Sequence, residues 1–579
     1  MPALRLILAA AALGLIGVVA PLFAAEDFSR IAPKPVTPVA QPAPAQGQSV
    51  PPAPNSDQVL LDRLKSLVFV PTTQDVAVKG LPPVGPVILQ EVNVPDPGEF
   101  EKMAGYYVGQ KLTQGRLNQL IRDIIVYYRK HDRPIVDVIV PEQDITRGTV
   151  QLVLLEGRVG KTVVTGNRWV PSYTIRSAIR AQPGDLIRSD KMQDDIEWSN
   201  RNPFHVTDLV YHPGAQLGQT DLELKVQDRF PARFYTGYED SGSASTGYDR
   251  YIAGFNWGDA FDLGLDQQLN YQYTTSGDGQ SLRAQTGSYV IPLPWRHVLT
   301  IFGSYVDTKG AIPPLFNVQG RSYQISGRYE IPLPRIFDYH HSFSFGFDYK
   351  YNKNSLEFGG IPAPGTLVDT DQFVFLYNGA MTDPYGETTL SEELTYSPGG
   401  FGGHDTDFYY NMSHTGATSD YVYNTIVAER TTRLPFDWSL LLRGTLQLSD
   451  ANLTPSEQLG FGGYDTVRGY DEREVNSDEG YIFTTELRTP SVSLGDFFHH
   501  PEVRDQLQFL GFWDYGSSGN HHPLPGEASE VPLSSLGVGA RYSINTYLSV
   551  RYDYGFQLLR TGFDNDHGSR SDIGVVLSY

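Results

Sequence analysis

Residues 548–558 read LSVRYDYGFQL, and this stretch decides the fold of the C-terminal part of the chain. Apolar and aromatic side chains alternate with polar or small ones, which is the period of a β-strand whose two faces meet different surroundings. The polar face carries Arg551 and Asp553, as expected for a strand that faces a water-filled interior. About ten residues are enough to cross a bilayer as a tilted strand. The stretch therefore predicts a membrane-spanning β-strand.

The same alternation recurs from residue 230 to the C-terminus, for example in 263–273 (LGLDQQLNYQY) and 438–448 (WSLLLRGTLQL). Seven short turn-like breaks divide this region into eight hairpins, and hence sixteen antiparallel strands, an even number as in closed bacterial barrels. The breaks fall at 258–259, 291–294, 331–334, 383–384, 434–435, 489–490 and 545–546. The last stretch, 571–579, alternates and ends on the aromatic Tyr579. We predict an all-β transmembrane barrel over residues 230–579; an edge strand of a soluble sheet is the alternative for the last stretch.

Residues 57–229 contain one α+β pattern twice, which predicts two domains, 57–157 and 158–229. Each copy has the order β-α-α-β-β, so the helices can cover one face of a small sheet. In the first copy, Leu117, Leu120, Ile121, Ile124 and Tyr128 have helical spacing, and Thr113 is the candidate N-cap. Helical spacing also predicts a short helix within 57–69. The predicted strands are 87–94, 135–140, 149–155, 161–165, 205–211 and 221–226, and the predicted helices are 98–106, 117–128, 172–180 and 190–200.

The N-terminus predicts an exported protein. Residues 1–25 have the charge, apolar run and small residues of a signal peptide. Residues 26–56 form a proline-rich spacer, since eight prolines lie between 33 and 54. The chain has no cysteine, which excludes disulfides, thiolate metal sites and cysteine nucleophiles. The net charge of −21 argues against nucleic-acid binding, which needs clustered Lys and Arg.

The long loop predicted over 450–480 carries the most informative motif. It contains GFGGYDTVRGY at 460–470, and GFWDYG follows downstream at 511–516. The pleat of that downstream strand places Phe512 and Asp514 toward the lumen. An arginine in a loop that folds inward and a carboxylate on the wall are natural partners, so we expect Arg468 to pair with Asp514. Glu486 and Arg488, on the lumen phase of an adjacent strand, are candidates for the same network.

Val467-Arg468-Gly469-Tyr470, together with Phe512-Trp513-Asp514, resembles the VRGY and FxD motifs of two-partner secretion transporters, the TpsB family of the haemolysin secretion/activation type. The resemblance covers nearly the whole mature chain, as two POTRA-like domains and a sixteen-strand barrel. It implies that Arg468 lies at the tip of a loop inside the barrel, paired with Asp514. It also implies that Gly469 allows the tight tip and that Tyr470 packs beside it.

The chain departs from the family at its N-terminus. Members often carry a plug helix inside the barrel ahead of the first POTRA domain. Only about seven residues separate the predicted cleavage site from the first proline of the spacer, Pro33, whereas a helix that crosses a barrel needs roughly 20. We therefore expect no full plug helix here.

The resulting hypothesis is an outer-membrane translocase with periplasmic POTRA domains. It would export one dedicated, β-structured partner exoprotein without nucleotide hydrolysis. An insertase of the same superfamily is the main alternative, and a diffusion porin or a barrel enzyme is a weaker one. Further expected partners are outer-membrane lipid and the barrel assembly machinery, through Tyr579. We expect no enzymatic activity, cofactor or metal, because no triad spacing is visible and the paired histidines at 340–341, 499–500 and 521–522 point to opposite faces of a strand.

Overall fold

A computed structural model describes residues 28–39, 57–312, 316–358, 361–523, 528–562 and 568–579. The predicted signal peptide lies outside these residues, as does the part of the proline-rich segment between 40 and 56. The described residues form two compact units. One comprises residues 38–231, and the other comprises the N-terminal residues 28–37 together with residues 232–579. Within the described residues, no helix combines the length and the apolar character needed to cross a membrane.

Helix α1 (Phe28–Ile31) opens the described chain and belongs to the barrel unit. The first α+β domain follows in the other unit. Its elements are β1 (Val59–Leu61), β2 (Ser66–Val70), β3 (Val87–Leu89), α2 (Pro97–Gly105), β4 (Leu112–Thr113), α3 (Gln114–Lys130), β5 (Val136–Ile139) and β6 (Thr149–Glu156). The four-stranded sheet has the order β3-β2-β6-β5, and β2 pairs in parallel with both β3 and β6. Strands β1 and β4 form a small two-stranded sheet.

Helix α3 confirms the predicted stripe and cap. Leu117, Leu120, Ile124 and Tyr128 are buried, and Ile121 is partly buried against the same core. The Thr113 side chain accepts a hydrogen bond from the Arg116 backbone N–H. The predicted helix within 57–69 is wrong, because that segment forms β1 and β2. All five residues of β2 are buried in the middle of the sheet. A short apolar run that is buried on both faces has no period by which a strand can be told from a helix.

The second α+β domain has the predicted order of elements. They are β7 (Arg158–Thr165), α4 (Ser172–Ala178), α5 (Ser189–Ser199), β8 (His205–Pro213) and β9 (Gln219–Asp228). The sheet has the order β7-β9-β8, with β7 and β9 parallel and β8 and β9 antiparallel. Ile175 and Met192 from the helices pack on Leu222 and Leu224 of the central strand β9.

The C-terminal region is a closed barrel of sixteen antiparallel strands, as predicted. The first and last strands close it, with Tyr235 opposite Ser578 and Glu239 opposite Gly574. The wall strands are β10 (Ala232–Glu239), β11 (Arg250–Gly258), β12 (Gln268–Ser276), β13 (Leu282–Pro292), β14 (Val298–Ile312), β15 (Phe316–Pro332), β16 (Tyr339–Phe358), β17 (Ile361–Asp383), β18 (Gly386–Pro398), β19 (Asp420–Arg433), β20 (Ser439–Ser449), β23 (Glu479–Arg488), β24 (Asp505–Gly519), β25 (Glu530–Ile544), β26 (Leu548–Gln557) and β27 (Ser569–Ser578). Strands β21 (Leu459–Phe461) and β22 (Val475–Ser477) form a hairpin in the loop between β20 and β23. Helices α6 (Asp407–Ser413) and α7 (Leu494–Phe497) lie in two other loops.

All seven predicted turns connect neighbouring wall strands. The two faces of the wall follow the predicted alternation. Trp513 and Phe556 point outward and are exposed, whereas Asp514 and Asp553 on the same two strands point inward and are fully buried by other parts of the chain. The outer face therefore suits lipid, and the inner face is polar and largely covered.

A matched pair of arginine substitutions tests this assignment of faces. Leu446 precedes the lumen-facing Gln447 on β20 and therefore faces outward, toward lipid. Thr389 on β18 faces the lumen, where it is exposed, and pairs with Glu429 of β19. We expect Leu446→Arg to destabilise the barrel by about 2–4 kcal/mol, because it places a charge in the hydrocarbon. Thr389→Arg should change the free energy of unfolding little. Urea unfolding of the purified protein in phospholipid vesicles measures both, and equal losses would contradict the assignment.

Candidate functional site

The loop between β20 and β23, residues 450–478, folds into the barrel, and we call it the inward loop. The β21–β22 hairpin holds its two limbs together. An apolar cluster forms between the loop and the inner wall. Its buried members are Phe461, Val467, Tyr470 and Val475 from the loop and Ile482 and Leu533 from the wall. An apolar contact inside a polar lumen is a strong reason for the loop to stay inside, since exposing it to water is unfavourable.

Arg468 reaches the wall at Asp514 on β24. Its Nε donates to Asp514 Oδ2 at 2.8 Å and its Nη2 donates to Oδ1 at 2.9 Å. The backbone N–H of Arg468 also donates to Asp514 Oδ2, at 3.2 Å. The two side chains are only 3% and 0% exposed. The structure thus forms a fully buried, two-pronged ion pair, the geometry in which arginine binds a carboxylate most strongly.

Glu486 and Phe512 complete the surroundings of the Arg468 guanidinium. Its Nη1 donates to Glu486 Oε1 at 2.7 Å. Its central carbon lies 3.6 Å from the centroid of the Phe512 ring, a cation–π contact. Arg488 donates to Glu486 Oε2 through Nε at 2.9 Å and Nη2 at 2.6 Å. The structure therefore brings these five side chains, counting Asp514, into one cluster.

Sequence reasoning missed a second acidic centre, Asp553 on β26. Asp553 Oδ1 lies 3.6 Å from Arg468 Nη1. Arg541 donates to both of its oxygens at 2.9 Å, and Arg551 Nε donates to Oδ2 at 2.8 Å. Arg551 also binds Asp465 of the inward loop at 2.7 Å. The alternation of residues 548–558 places Arg551 and Asp553 on the lumen face, but it does not name the loop as their partner.

This network balances charge in a covered place. Buried carboxylates and guanidinium groups cost several kcal/mol each in lost hydration, and close opposite charges recover that cost only when every hydrogen bond is made. Four arginines, 468, 488, 541 and 551, pair with four carboxylates, Asp465, Glu486, Asp514 and Asp553. Removing Arg468 leaves Asp514 buried without its partner, whereas removing a rim charge does not.

Gly469 lies at the closest approach of the loop to the wall. Its φ is +91°, a conformation that residues with a Cβ rarely adopt. A Cβ at this position would lie 2.9 Å from the carbonyl carbon of Gly555 on β26. Gln557 on the same strand donates to the Gly469 carbonyl at 2.8 Å. Two glycines therefore let the loop backbone lie directly on the wall.

Tyr470 anchors the loop just beyond the tip. Its ring is fully buried in the apolar cluster. Its hydroxyl lies 2.8 Å from the Ser534 carbonyl and 2.6 Å from the Leu559 carbonyl, and it accepts from the Ser534 backbone N–H at 3.1 Å. A buried tyrosine with both hydrogen-bonding roles used fixes the register of the loop on strand β25.

Residues 28–37 also lie against the barrel wall. The sequence predicts this segment as part of the spacer, and the structure instead places α1 and the extended residues after it inside the barrel unit. Arg30 Nη2 lies 3.1 Å from Glu472 Oε1 of the inward loop. No sequence signal pairs these residues, because they are far apart in the chain. The expectation of no full plug helix stays a prediction; the described helix has four residues.

Among the residues that the structure describes, no group of three or more His, Asp or Glu side chains is placed to hold a metal ion. The site is a set of ion pairs, ring contacts and close backbone contacts.

Two family models match the chain. One, described as Haemolysin secretion/activation protein ShlB/FhaC/HecB, matches residues 218–542, more than half of the chain. The other, described as POTRA domain, ShlB-type, matches residues 83–157, in the first α+β domain. The first match contains the inward loop with its wall partners on β23 and β24.

Curated relatives are similar over most or part of the chain. The heme/hemopexin transporter protein HuxB of Haemophilus influenzae is 22% identical over 476 residues, which cover 77% of this chain and 79% of HuxB. The outer membrane transporter CdiB of Dickeya dadantii is 27% identical over 174 residues, 29% of this chain and 30% of CdiB. The hemolysin transporter protein ShlB of Serratia marcescens is 26% identical over 173 residues, 30% of this chain and 29% of ShlB.

Solved structures show the same fold. CdiB from Escherichia coli superposes with a TM-score of 0.71 at 17% identity, over 96% of both chains. CdiB from Acinetobacter baumannii gives a TM-score of 0.62 at 17% identity, over 95% of both chains.

Gly469→Ala tests whether close backbone contact holds the loop. We expect faster hydrogen–deuterium exchange over residues 459–477, because the new Cβ meets the Gly555 backbone. Gly400→Ala is the matched control, since Gly400 also has a positive φ, +78°, but a Cβ added there would have nothing within 4 Å. Both changes carry the same backbone strain of about 1–2 kcal/mol. Unchanged exchange over 459–477 in Gly469→Ala would contradict the contact.

Proposed function

The chain belongs to the haemolysin secretion/activation protein family ShlB/FhaC/HecB, and from that premise we propose that it moves one dedicated partner exoprotein from the periplasm to the cell surface. It is an outer-membrane transporter of two-partner secretion, with its POTRA domains in the periplasm. The barrel lumen is the route of the exported polypeptide. The inward loop is the element that constricts this route or stabilises it.

The observation that carries the proposal is the inward loop itself. A closed barrel of this family holds a long loop inside its lumen through a buried Arg468–Asp514 pair. A loop that served only to connect two strands would gain nothing from several desolvated charges. A network in which every charge is matched holds the loop in one defined position inside the lumen.

The two α+β domains supply candidate sites for the partner before it enters the lumen. Strands β3 and β5 are the edges of the first sheet, and β7 and β8 are the edges of the second. An extended segment can add to such an edge as a further strand, through main-chain hydrogen bonds. We propose that the partner is recognised there in an extended form, before it is folded.

The proposal includes no enzymatic step and no nucleotide. Folding of the β-structured partner outside the cell would make export irreversible, because a folded domain cannot re-enter the lumen. Two further contacts complete the proposal. The outward apolar face binds outer-membrane lipid, and the C-terminal strand β27, which Tyr579 directly follows, is read by the barrel assembly machinery.

Insertion of other barrels into the membrane is the alternative function within the same superfamily. Deletion of this chain distinguishes the two. We expect the amounts of other outer-membrane proteins to stay unchanged, while the partner accumulates in the periplasm. A general loss of outer-membrane proteins would support insertase activity instead.

Arg468→Ala should abolish partner export or reduce it sharply, with the barrel still assembled. The substitution leaves the buried Asp514 without its cation and removes one of the two cations that bind Glu486, at a cost of about 3–5 kcal/mol to the seated loop, while the strand ladder is untouched. Partner protein in the culture medium and in the periplasm is quantified in cells that express each variant.

Arg443→Ala is the control, because Arg443 is a lumen-facing and exposed arginine on the neighbouring strand β20. It should export normally. Barrel assembly of both variants is checked by the shift of the unheated protein in gel electrophoresis. Normal export by an assembled Arg468→Ala barrel would show that the inward loop is not needed.

A further inference from the structure

Residues 30–35, which we call the strap, lie on the inner wall over strands β10–β14, and the wall holds them by their backbone. Gln272 Nε2 donates to the Ile31 carbonyl at 3.1 Å, and Thr286 Oγ1 donates to the same carbonyl at 2.7 Å. Both wall side chains are almost fully buried, Gln272 at 1% and Thr286 at 2% exposure. The wall therefore carries paired donors that aim at a main-chain oxygen.

The same arrangement repeats three residues later along the strap. The Lys34 backbone N–H lies 3.0 Å from the Tyr235 hydroxyl, which accepts it. The Lys34 carbonyl accepts from Asn256 Nδ2 at 3.2 Å and Arg233 Nη1 at 3.3 Å, and Arg233 also donates to the Pro35 carbonyl at 3.0 Å. These contacts bind backbone atoms, which every polypeptide has, and they do not depend on the side chains of the bound segment.

Between these polar contacts lies an apolar recess. Ile31 is 4% exposed and packs against Leu282, Ala284 and Val306, three residues on the inner faces of β13 and β14. Apolar inner-face residues are unusual in a polar lumen, where the wall would otherwise face water. The recess accepts one apolar side chain, and its neighbours bind the backbone on either side of it.

We propose that this surface, which we call the wall track, binds an extended polypeptide segment that carries an apolar residue, and that the exported partner uses it in transit. The strap is a stand-in for that segment. This inference rests on the proposed function and names the chemistry of the translocated ligand. Main-chain contacts with one apolar recess can bind successive segments of an extended chain in turn, since every second side chain of such a chain points to the same face and can enter the recess.

The strap is fixed at its two ends by side-chain ion pairs. Lys34 Nζ lies 2.6 Å from Glu239 Oε1 on the wall, and Arg30 lies 3.1 Å from Glu472 of the inward loop. The middle of the strap uses contacts that any extended chain can replace. An incoming segment therefore has to break two ion pairs and can remake the backbone contacts.

Peptide binding to a strapless protein tests the wall track directly. Residues 28–37 are deleted from the otherwise full-length chain, and two fluorescein-labelled peptides are titrated onto it in detergent. One is the strap sequence FSRIAPKPVT, and the other is TSTISTVSTS, an unrelated sequence that keeps isoleucine at its fourth position. We expect both peptides to bind, with dissociation constants within about tenfold of each other, because both carry the same backbone and the same apolar residue.

Two substitutions in the wall complete the titration. Thr286→Val with Gln272→Leu removes both donors to the Ile31 carbonyl and should weaken the binding of both peptides about 25-fold, since each lost hydrogen bond is worth about a factor of five. Thr445→Val is the matched control on a lumen-facing threonine of β20. The triple variant Arg30→Ala, Ile31→Ala, Lys34→Ala of the full-length chain is titrated in parallel, so that the result does not depend on assembly of the deletion. Binding of the strap peptide alone, of neither peptide, or of both with no effect of the double variant overturns the wall track.

A disulfide lock links the wall track to export. The chain has no native cysteine, so Ile31→Cys with Ala284→Cys provides one defined pair in the recess. We expect the oxidised pair to reduce export at least tenfold, and a reductant to restore it. Normal export by the locked chain overturns the inference. This outcome differs from a failure of the proposed function. Export itself would fail as a proposal if the unmodified chain exported nothing, and the role of the inward loop would fail if Arg468→Ala exported normally.

Discussion

The Arg468–Asp514 pair is the interaction on which the interior of the barrel depends. It is buried, two-pronged and flanked by Glu486, Asp553 and the Phe512 ring. Ions in such a place are stable only together, because each one alone lacks the hydration that it had in water. The inward loop therefore has one arrangement in which all its charges are matched. Moving the loop away from the wall separates these charges, so the seated position is strongly favoured over displaced ones.

The closed sheet makes that pair possible. Period-2 alternation sends every second side chain inward, and closure removes the edges that would otherwise need covering. Asp514 and Asp553 are on the inner face for the same reason that Trp513 and Phe556 are on the outer face. The apolar outer face and the charged network in the lumen thus both follow from the alternation of side chains along the same strands. A shift of one residue in the register of β24 or β26 would send the acids to lipid and empty the network.

The sequence predicts what is local or periodic, and it fails where partners come from distant parts of the chain. The seven turns, the sixteen strands and the stripe of α3 follow from spacing alone. The pairing of Arg468 with Asp514 was reachable through motif resemblance together with the pleat. Asp553, Arg541 and the Arg30–Glu472 contact were not, because no spacing relates strands β25 and β26, or the N-terminal segment, to a loop that folds inside. Strand β2 was missed for another reason, since burial on both faces leaves no period to read.

The barrel wall and the segments inside it are held by different kinds of hydrogen bond. Backbone ladders of eight or more residue pairs join most neighbouring wall strands, as between β10 and β11. Around Arg468 the inward loop is instead tied to the wall by bonds that involve side chains, and so is the strap; examples are Arg468 to Asp514, Gln557 to Gly469 and Thr286 to Ile31. Side chains can rotate away without opening the sheet, whereas a ladder breaks cooperatively. The lumen can therefore be cleared while the barrel stays closed, and the Arg30–Glu472 contact means that clearing the strap also removes one restraint from the loop.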